Sequence, residues 1–205
     1  ELVKPFVVLQ AANLFAPWTR MAIDQKLLWL VSFGGLLLLI LKQPNLSTAA
    51  LMGLTLWMVA LAAGLRWRSL LGTAFAGGAL GTASILINEY QRLRVVSFLD
   101  PWNDPMGDGY QLVQSLLAIG SGGVMGQGYG LSTQKLQYLP IQSTDFIYAV
   151  FAEEFGFVGS LMLLLFLMLV AWVGLRVALR CRSNQARLVA IGCCTILVGQ
   201  SILNI

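Results

Sequence analysis

Two kinds of group in this chain could do chemistry: carboxylates at the edges of apolar helices, and backbone amides in a glycine cluster. Asp145 follows Ser143 and Thr144 and opens an apolar run at Phe146. A carboxylate there can cap the helix, accepting backbone N–H bonds and matching the positive end of the dipole. Beside a glycine loop at a membrane boundary it can also accept a proton from a substrate hydroxyl or hold a divalent cation such as Mg2+ or Mn2+. The glycines run Gly120-Ser121-Gly122-Gly123, then Gly126-Gln127-Gly128-Tyr129-Gly130. That is too glycine-rich for a stable helix and lacks the pattern of a strand. The segment is either a flexible or tightly packed re-entrant turn or a cradle of N–H groups for a phosphate. It has neither the GxxxxGK[ST] pattern nor the preceding strand of a dinucleotide-binding fold.

Further charges lie nearby or at helix ends. Arg92 and Arg94, with Tyr90, stand just outside an apolar stretch, where guanidinium groups suit phosphate oxygens or anionic headgroups. Glu1 and Lys4 are three apart, share a helix face and can form an ion pair. Glu153 and Glu154 lie two turns into the helix that Asp145 opens, where ionised groups are costly unless paired or solvated. They either line a polar cavity or mark that the membrane segment starts nearer Phe157.

The elements that must position these groups are membrane helices. The chain is 58% hydrophobic and 11% charged, with mean hydropathy +0.77, whereas a soluble domain has about a quarter of its residues charged. It contains no His, which excludes a Ser-His-Asp triad, His-ligated zinc or haem, and an imidazole base within these residues. The net charge of +4 comes from basic residues scattered in short loops, a topology signal and not a nucleic-acid surface. Cys181, Cys193 and Cys194 have no CxxC spacing and read as packing residues. The numbering starts without Met and stops inside an apolar run, so part of a longer protein is expected, with further spans at both ends.

A span needs about 20 mostly apolar residues. Apolar stretches at 2–16, 27–41, 46–65, 69–87, 146–179 and 188 to the end predict six helices, the fifth unusually long. Between the fourth and fifth, 89–145 reads as a large polar, non-helical loop, with strong turn signals in Asp100-Pro101-Trp102-Asn103-Asp104-Pro105 and Gly107-Asp108-Gly109. A short helix is expected at 111–119. Lys and Arg mark cytoplasmic loops: Arg20, Lys26, Arg66, Arg68, Arg176, Arg180, Arg182 and Arg187 fall on one side of an alternating bundle. The loop at 89–145, holding most of the acids, then faces outward. The predicted fold is an all-α polytopic membrane bundle, 1–205 being part of one membrane-embedded domain.

Several segments, in order, resemble the SEDS family of bacterial cell-wall polymerases, and its cell-division branch more than its elongation branch. Glu1-Leu2-Val3-Lys4 is similar to the end of that family's QPSE-x-x-K segment, and Gln43-Pro44-Asn45-Leu46-Ser47-Thr48-Ala49 to its QPDLGTA. Phe98-Leu99-Asp100-Pro101-Trp102, Gly109-Tyr110-Gln111 and Ala118-Ile119-Gly120-Ser121-Gly122-Gly123 resemble its large extracellular loop. Gln134-Lys135-Leu136, Tyr138-Leu139-Pro140, Thr144-Asp145-Phe146-Ile147 and Ala152-Glu153-Glu154 followed by Gly156 complete the series. Asn45 and Ser47 replace the family's usual Asp and Gly, and Ile141 and Ser143 its usual Glu and His, while Asp145 is retained.

The resemblance implies glycosyl transfer: polymerisation of lipid II, an undecaprenyl-pyrophosphate-linked disaccharide pentapeptide, into β-1,4 glycan strands outside the bacterial cytoplasmic membrane, at the division septum. It implies Asp145 as base or cation ligand and Lys4 with Glu1 as a polar pair in the cavity. Arg92, Arg94, Lys135 and the glycines Gly122 and Gly123 become pyrophosphate contacts. The implied partners are a class B penicillin-binding protein that cross-links the strands, other divisome proteins and membrane lipids. Two other classes stay open on the residues alone: a transporter of a lipid-linked substrate, and a non-catalytic divisome scaffold.

Overall fold

The computed structural model describes residues 3–18, 21–42, 46–107, 109–132 and 147–205, and every regular element among them is helical. In chain order these are α1 (Val3–Phe15), α2 (Ile23–Lys42), α3 (Leu46–Ala62), α4 (Trp67–Ile87), α5 (Glu89–Leu99), α6 (Tyr110–Gly122), α7 (Ile147–Arg180) and α8 (Asn184–Leu203). All six apolar stretches of the sequence are helices, α1 to α4, α7 and α8. Among the described residues α4, α7 and α8 are long and apolar enough to cross a membrane, while α1 is apolar but shorter. The 13 residues of α1 cover about 20 Å of a hydrocarbon core about 30 Å thick.

The chain forms two compact units, Glu1–Ile87 with Val170–Gln200, and Asn88–Leu169 with Ser201–Ile205. In the first, α1 buries Lys4, Val7, Val8, Ala11, Ala12, Leu14 and Phe15, a stripe with the three- and four-residue spacing of one helix face. Much of that stripe packs against Val59 and Ala60 of α3, Leu70 of α4 and Leu188 of α8. Where lipid is the solvent, helices gain little from hiding apolar surface and associate through close packing at small residues. A Cβ on Gly192 would stand 2.5 Å from Val8 Cγ1 and 3.1 Å from Val59 Cγ2, and one on Gly199 2.6 Å from Leu51 Cδ1.

Polar groups fix the direction of α1 against α8. Lys4 Nζ donates to Gln200 Oε1 at 2.7 Å, while Asn184 Nδ2 donates to the Ala16 carbonyl at 3.3 Å and Gln185 to Asn13. The start of one helix thus meets the end of the other, and the pair is antiparallel. Trp57 Nε1 likewise donates to the Leu70 carbonyl at 3.0 Å, tying α3 to α4. All three cysteines are free thiols. Cys194 acts as the small packing residue its setting implies, since a Cβ on Gly174 would meet its Sγ at 2.6 Å.

In the second unit the expected non-helical loop is corrected, because α5 and α6 occupy much of it. No Gly or Pro interrupts Glu89–Leu99, and side chains three and four apart support the helix: Arg92 lies 3.9 Å from Glu89 and Arg94 stacks over the Tyr90 ring at 5.2 Å. The helix expected at 111–119 is α6, extended at both ends. Between them the turn signals hold. Asp104 Oδ1 accepts from the Gly107 amide at 3.0 Å and its carbonyl from Gly109 at 3.1 Å.

The contact between Val8 and Gly192 yields a direct test. Gly192→Ala should destabilise the protein by about 1–3 kcal/mol through overpacking, read as a lower thermal midpoint in detergent. Val8→Ala should then cost less on the Gly192→Ala background than on the parent. Strictly additive losses would reject the contact.

Candidate functional site

α7 is not one continuous helix. Gly156 sits at φ 66, ψ −162 inside it, a conformation open to glycine and strained for other residues. A break in a helix frees the carbonyls before it and the amides after it, and in an apolar setting each needs a partner inside the protein. The glycine-rich segment after α6 supplies four such bonds. The amides of Gln127 and Gly128 donate to the carbonyls of Glu153 (3.0 Å) and Glu154 (3.1 Å), and the amides of Phe157 and Val158 donate to the carbonyls of Gly123 (2.9 Å) and Val124 (3.1 Å).

Two lengths of backbone therefore lie side by side, too close for side chains at the crossing. A Cβ on Gly126 would stand 2.1 Å from the Glu154 carbonyl oxygen, one on Gly156 2.3 Å from the Gly126 nitrogen, and one on Gly122 2.2 Å from the Ala152 oxygen. Of the two readings of the glycine cluster, this is the tightly packed turn. The Gly126 amide is also engaged, donating to Gly122 at 2.8 Å.

Two carboxylates are buried immediately before the break. Glu153 is 0% exposed and Glu154 6%. Glu153 Oε2 accepts from the Ser132 hydroxyl at 2.5 Å, and Ser132 itself is buried. A buried carboxylate without such donors would carry a large desolvation cost. Ser160 adds a bond to the Gly156 carbonyl at 3.0 Å, while Phe151 stacks on Phe155 at 4.7 Å and Tyr129 packs on Phe155 at 6.2 Å. The helix breaks at Gly156 and resumes at Phe157, and both acids lie buried before that break.

The other candidates are distributed. Lys4 is buried and donates to Gln200. Its expected partner Glu1, together with Lys135 and Asp145, lies outside the described residues. Arg92 and Arg94 are exposed; two positions apart on α5, they point about 200° from one another, so the helix does not gather them on one face. Gly122 and Gly123 belong to the backbone clasp. Among the described residues no group of three or more His, Cys, Asp or Glu could hold a metal. Sequence reasoning missed Ser132 as the partner of Glu153 and Gln200 as the partner of Lys4; a lone polar residue near the end of an apolar helix was the available signal for Gln200.

A family model described as cell cycle protein, for FtsW, RodA and SpoVE, matches residues 1–205. A Synechocystis protein named "Probable peptidoglycan glycosyltransferase FtsW" is 59% identical over 205 residues, covering 100% of this chain and 52% of its own length. An FtsW relative from Cyanophora paradoxa is 48% identical over 204 residues, covering 100% of this chain and 51% of its own. The chain spans about half the length of the curated relatives it matches. A solved structure described as "Structural coordination of polymerization and crosslinking by a peptidoglycan synthase complex" contains a chain with TM-score 0.70 and 26% identity, covering 98% of this chain and 57% of that one.

The clasp predicts joint protection in hydrogen exchange. Gly126→Ala places a side chain at positive φ, costing about 1–2 kcal/mol, and against the Glu154 carbonyl. The amides of Phe157 and Val158, although in α7, should lose protection together with those of Gln127 and Gly128. Unchanged exchange at Phe157 and Val158 would show that the two segments do not depend on one another.

Proposed function

Because the chain belongs to the FtsW, RodA and SpoVE family of cell cycle proteins, we propose that it forms part of a peptidoglycan glycosyltransferase that polymerises lipid II into β-1,4 glycan strands. The observation that carries this reading is similarity along the whole chain to proteins named as such glycosyltransferases, at 59% and 48% identity. Their FtsW designation favours the division septum over elongation. On this reading 1–205 is part of one membrane-embedded catalytic domain in the bacterial cytoplasmic membrane, with 89–145 on the outer side.

The chemistry needs a base and a means of stabilising the leaving group. The acceptor sugar hydroxyl loses its proton as its oxygen attacks the anomeric carbon, and the bond to the undecaprenyl pyrophosphate breaks. Asp145 takes that proton, a role suited to a carboxylate at the mouth of a helix. Lys4 contributes a buried cation, and Lys135 with either Arg92 or Arg94, which face different sides of α5, supplies the cations available to the pyrophosphate. Gly122 and Gly123 serve the site through the clasp, which holds the first half of α7, beginning two residues after Asp145, against the end of α6.

The partner is a class B penicillin-binding protein that cross-links the strands, with further divisome proteins around it. Support for the partner comes from the related structure, whose description joins polymerisation to crosslinking. Transport of a lipid-linked substrate would instead draw on the buried charges Lys4 and Glu153.

In full-length protein reconstituted with lipid II, Asp145→Asn should lower glycan formation by about 10² to 10⁴-fold while lipid II binding persists. Undiminished polymerisation would remove Asp145 from the mechanism. Headgroup translocation in the same liposomes, without polymer, would establish transport instead.

A further inference from the structure

The cationic end of the first unit holds none of the residues assigned to that reaction. There the core gathers Leu14 and Phe15 from α1, Met21 just before α2, Val59 and Ala60 from α3, Leu65 and Leu70 around the start of α4, and Leu188 from α8. Several helix ends therefore converge, and Lys26, Arg66, Arg68 and Arg187 stand on the turns and first turns around them. α7 ends in Arg180, one turn after Arg176, and Arg182 lies in the short connection to α8. Residues 155–205 contain no Asp or Glu, so these arginines have no acid within their own stretch of chain.

The surroundings of Arg176 and Arg180 point to the ligand. Trp172, Arg176 and Arg180 are spaced four apart along one face of α7, all exposed, with the Arg176 guanidinium 4.0 Å from the Trp172 ring. Beside them Leu175 is 53% exposed and Leu179 72%. A soluble anion gains nothing from exposed leucines, whereas a phospholipid offers a phosphate and acyl chains at adjacent depths. Trp is the side chain that settles at that boundary, and Lys26 repeats the arrangement at 5.5 Å from the Trp18 ring. Guanidinium forks bind phosphate oxygens two at a time.

We propose that this face binds anionic phospholipid, the headgroup phosphate held by Arg176, Arg180 and Arg182 and the acyl chains lying along Leu175 and Leu179. The site is separate from glycosyl transfer and does not rest on it. Arginines retained only to set topology would be indifferent to lipid identity; a binding site selects.

The test uses full-length protein in phosphatidylcholine membranes containing spin-labelled phosphatidylglycerol or spin-labelled phosphatidylcholine, and measures which label is immobilised at the protein surface. Phosphatidylglycerol should be preferred at low salt, and the preference should fall about fivefold for each arginine replaced by Gln. Arg180→Gln alone, at an exposed position, provides a variant expected to fold, and the triple Arg→Lys variant at 176, 180 and 182 should keep only part of the preference, since lysine retains the charge without the two-pronged bond to phosphate. Undiminished preference in Arg180→Gln and in the triple Gln variant would overturn the proposal. So would full competition by soluble glycerol phosphate, which would identify a free-phosphate site.

Discussion

The structure turns on one requirement: a backbone broken inside an apolar helix must have every freed carbonyl and amide bonded by protein. Gly156 creates the break, and its cost would be several kcal/mol per unsatisfied group in a medium without water. Four bonds between α7 and the segment after α6 satisfy two of those carbonyls and two of those amides. They dictate the rest of the second unit. The segment must approach at backbone distance, so Gly122 and Gly126 cannot carry side chains, and α6 must end where α7 breaks. The burial of Glu153 follows too, since the descending segment brings Ser132 to its carboxylate.

Each unit hides a charged side chain and gives it a polar neighbour. In the second, Glu153 receives a hydroxyl; in the first, Lys4 donates to an amide. Such burial is weak evidence for stability, because a buried charge is costly to desolvate even when hydrogen-bonded. Charges held this way inside membrane helices point to function. Lys4 is the member of the sequence-derived site whose burial most needs a functional reason, as the remainder of its helix face is Val, Ala, Leu and Phe.

Much of this was legible from the sequence. Every apolar stretch became a helix because length and hydropathy leave the backbone no other way to satisfy itself in lipid. The turn around Asp104 was readable because Asp and Gly there have local, short-range consequences. α5 was obscured by its polarity: Glu89, Arg92 and Arg94 suggested loop, although their three- and four-residue spacings with neighbours support a helix. The clasp could not be read at all from Gly156 alone. One glycine in an apolar run is ordinarily tolerated within a helix, and its meaning here depends on a second glycine segment distant in sequence. The same holds for Lys4 and Gln200, whose pairing depends on an antiparallel contact between the first and last helices. Glu1, Lys135 and Asp145 rest on the sequence, being outside the described residues.

The position of the break sets the length of the uninterrupted part of α7. From Phe157 the helix runs without interruption through leucine, methionine, phenylalanine and valine to Arg176. At 1.5 Å per residue that length is about 30 Å, the thickness of a hydrocarbon core. A break placed several residues later would leave too little helix to cross, and one placed earlier would draw more exposed leucine out of the apolar layer. Gly156 thus fixes both where α7 can accept the bonds of the glycine segment and how much unbroken helix follows.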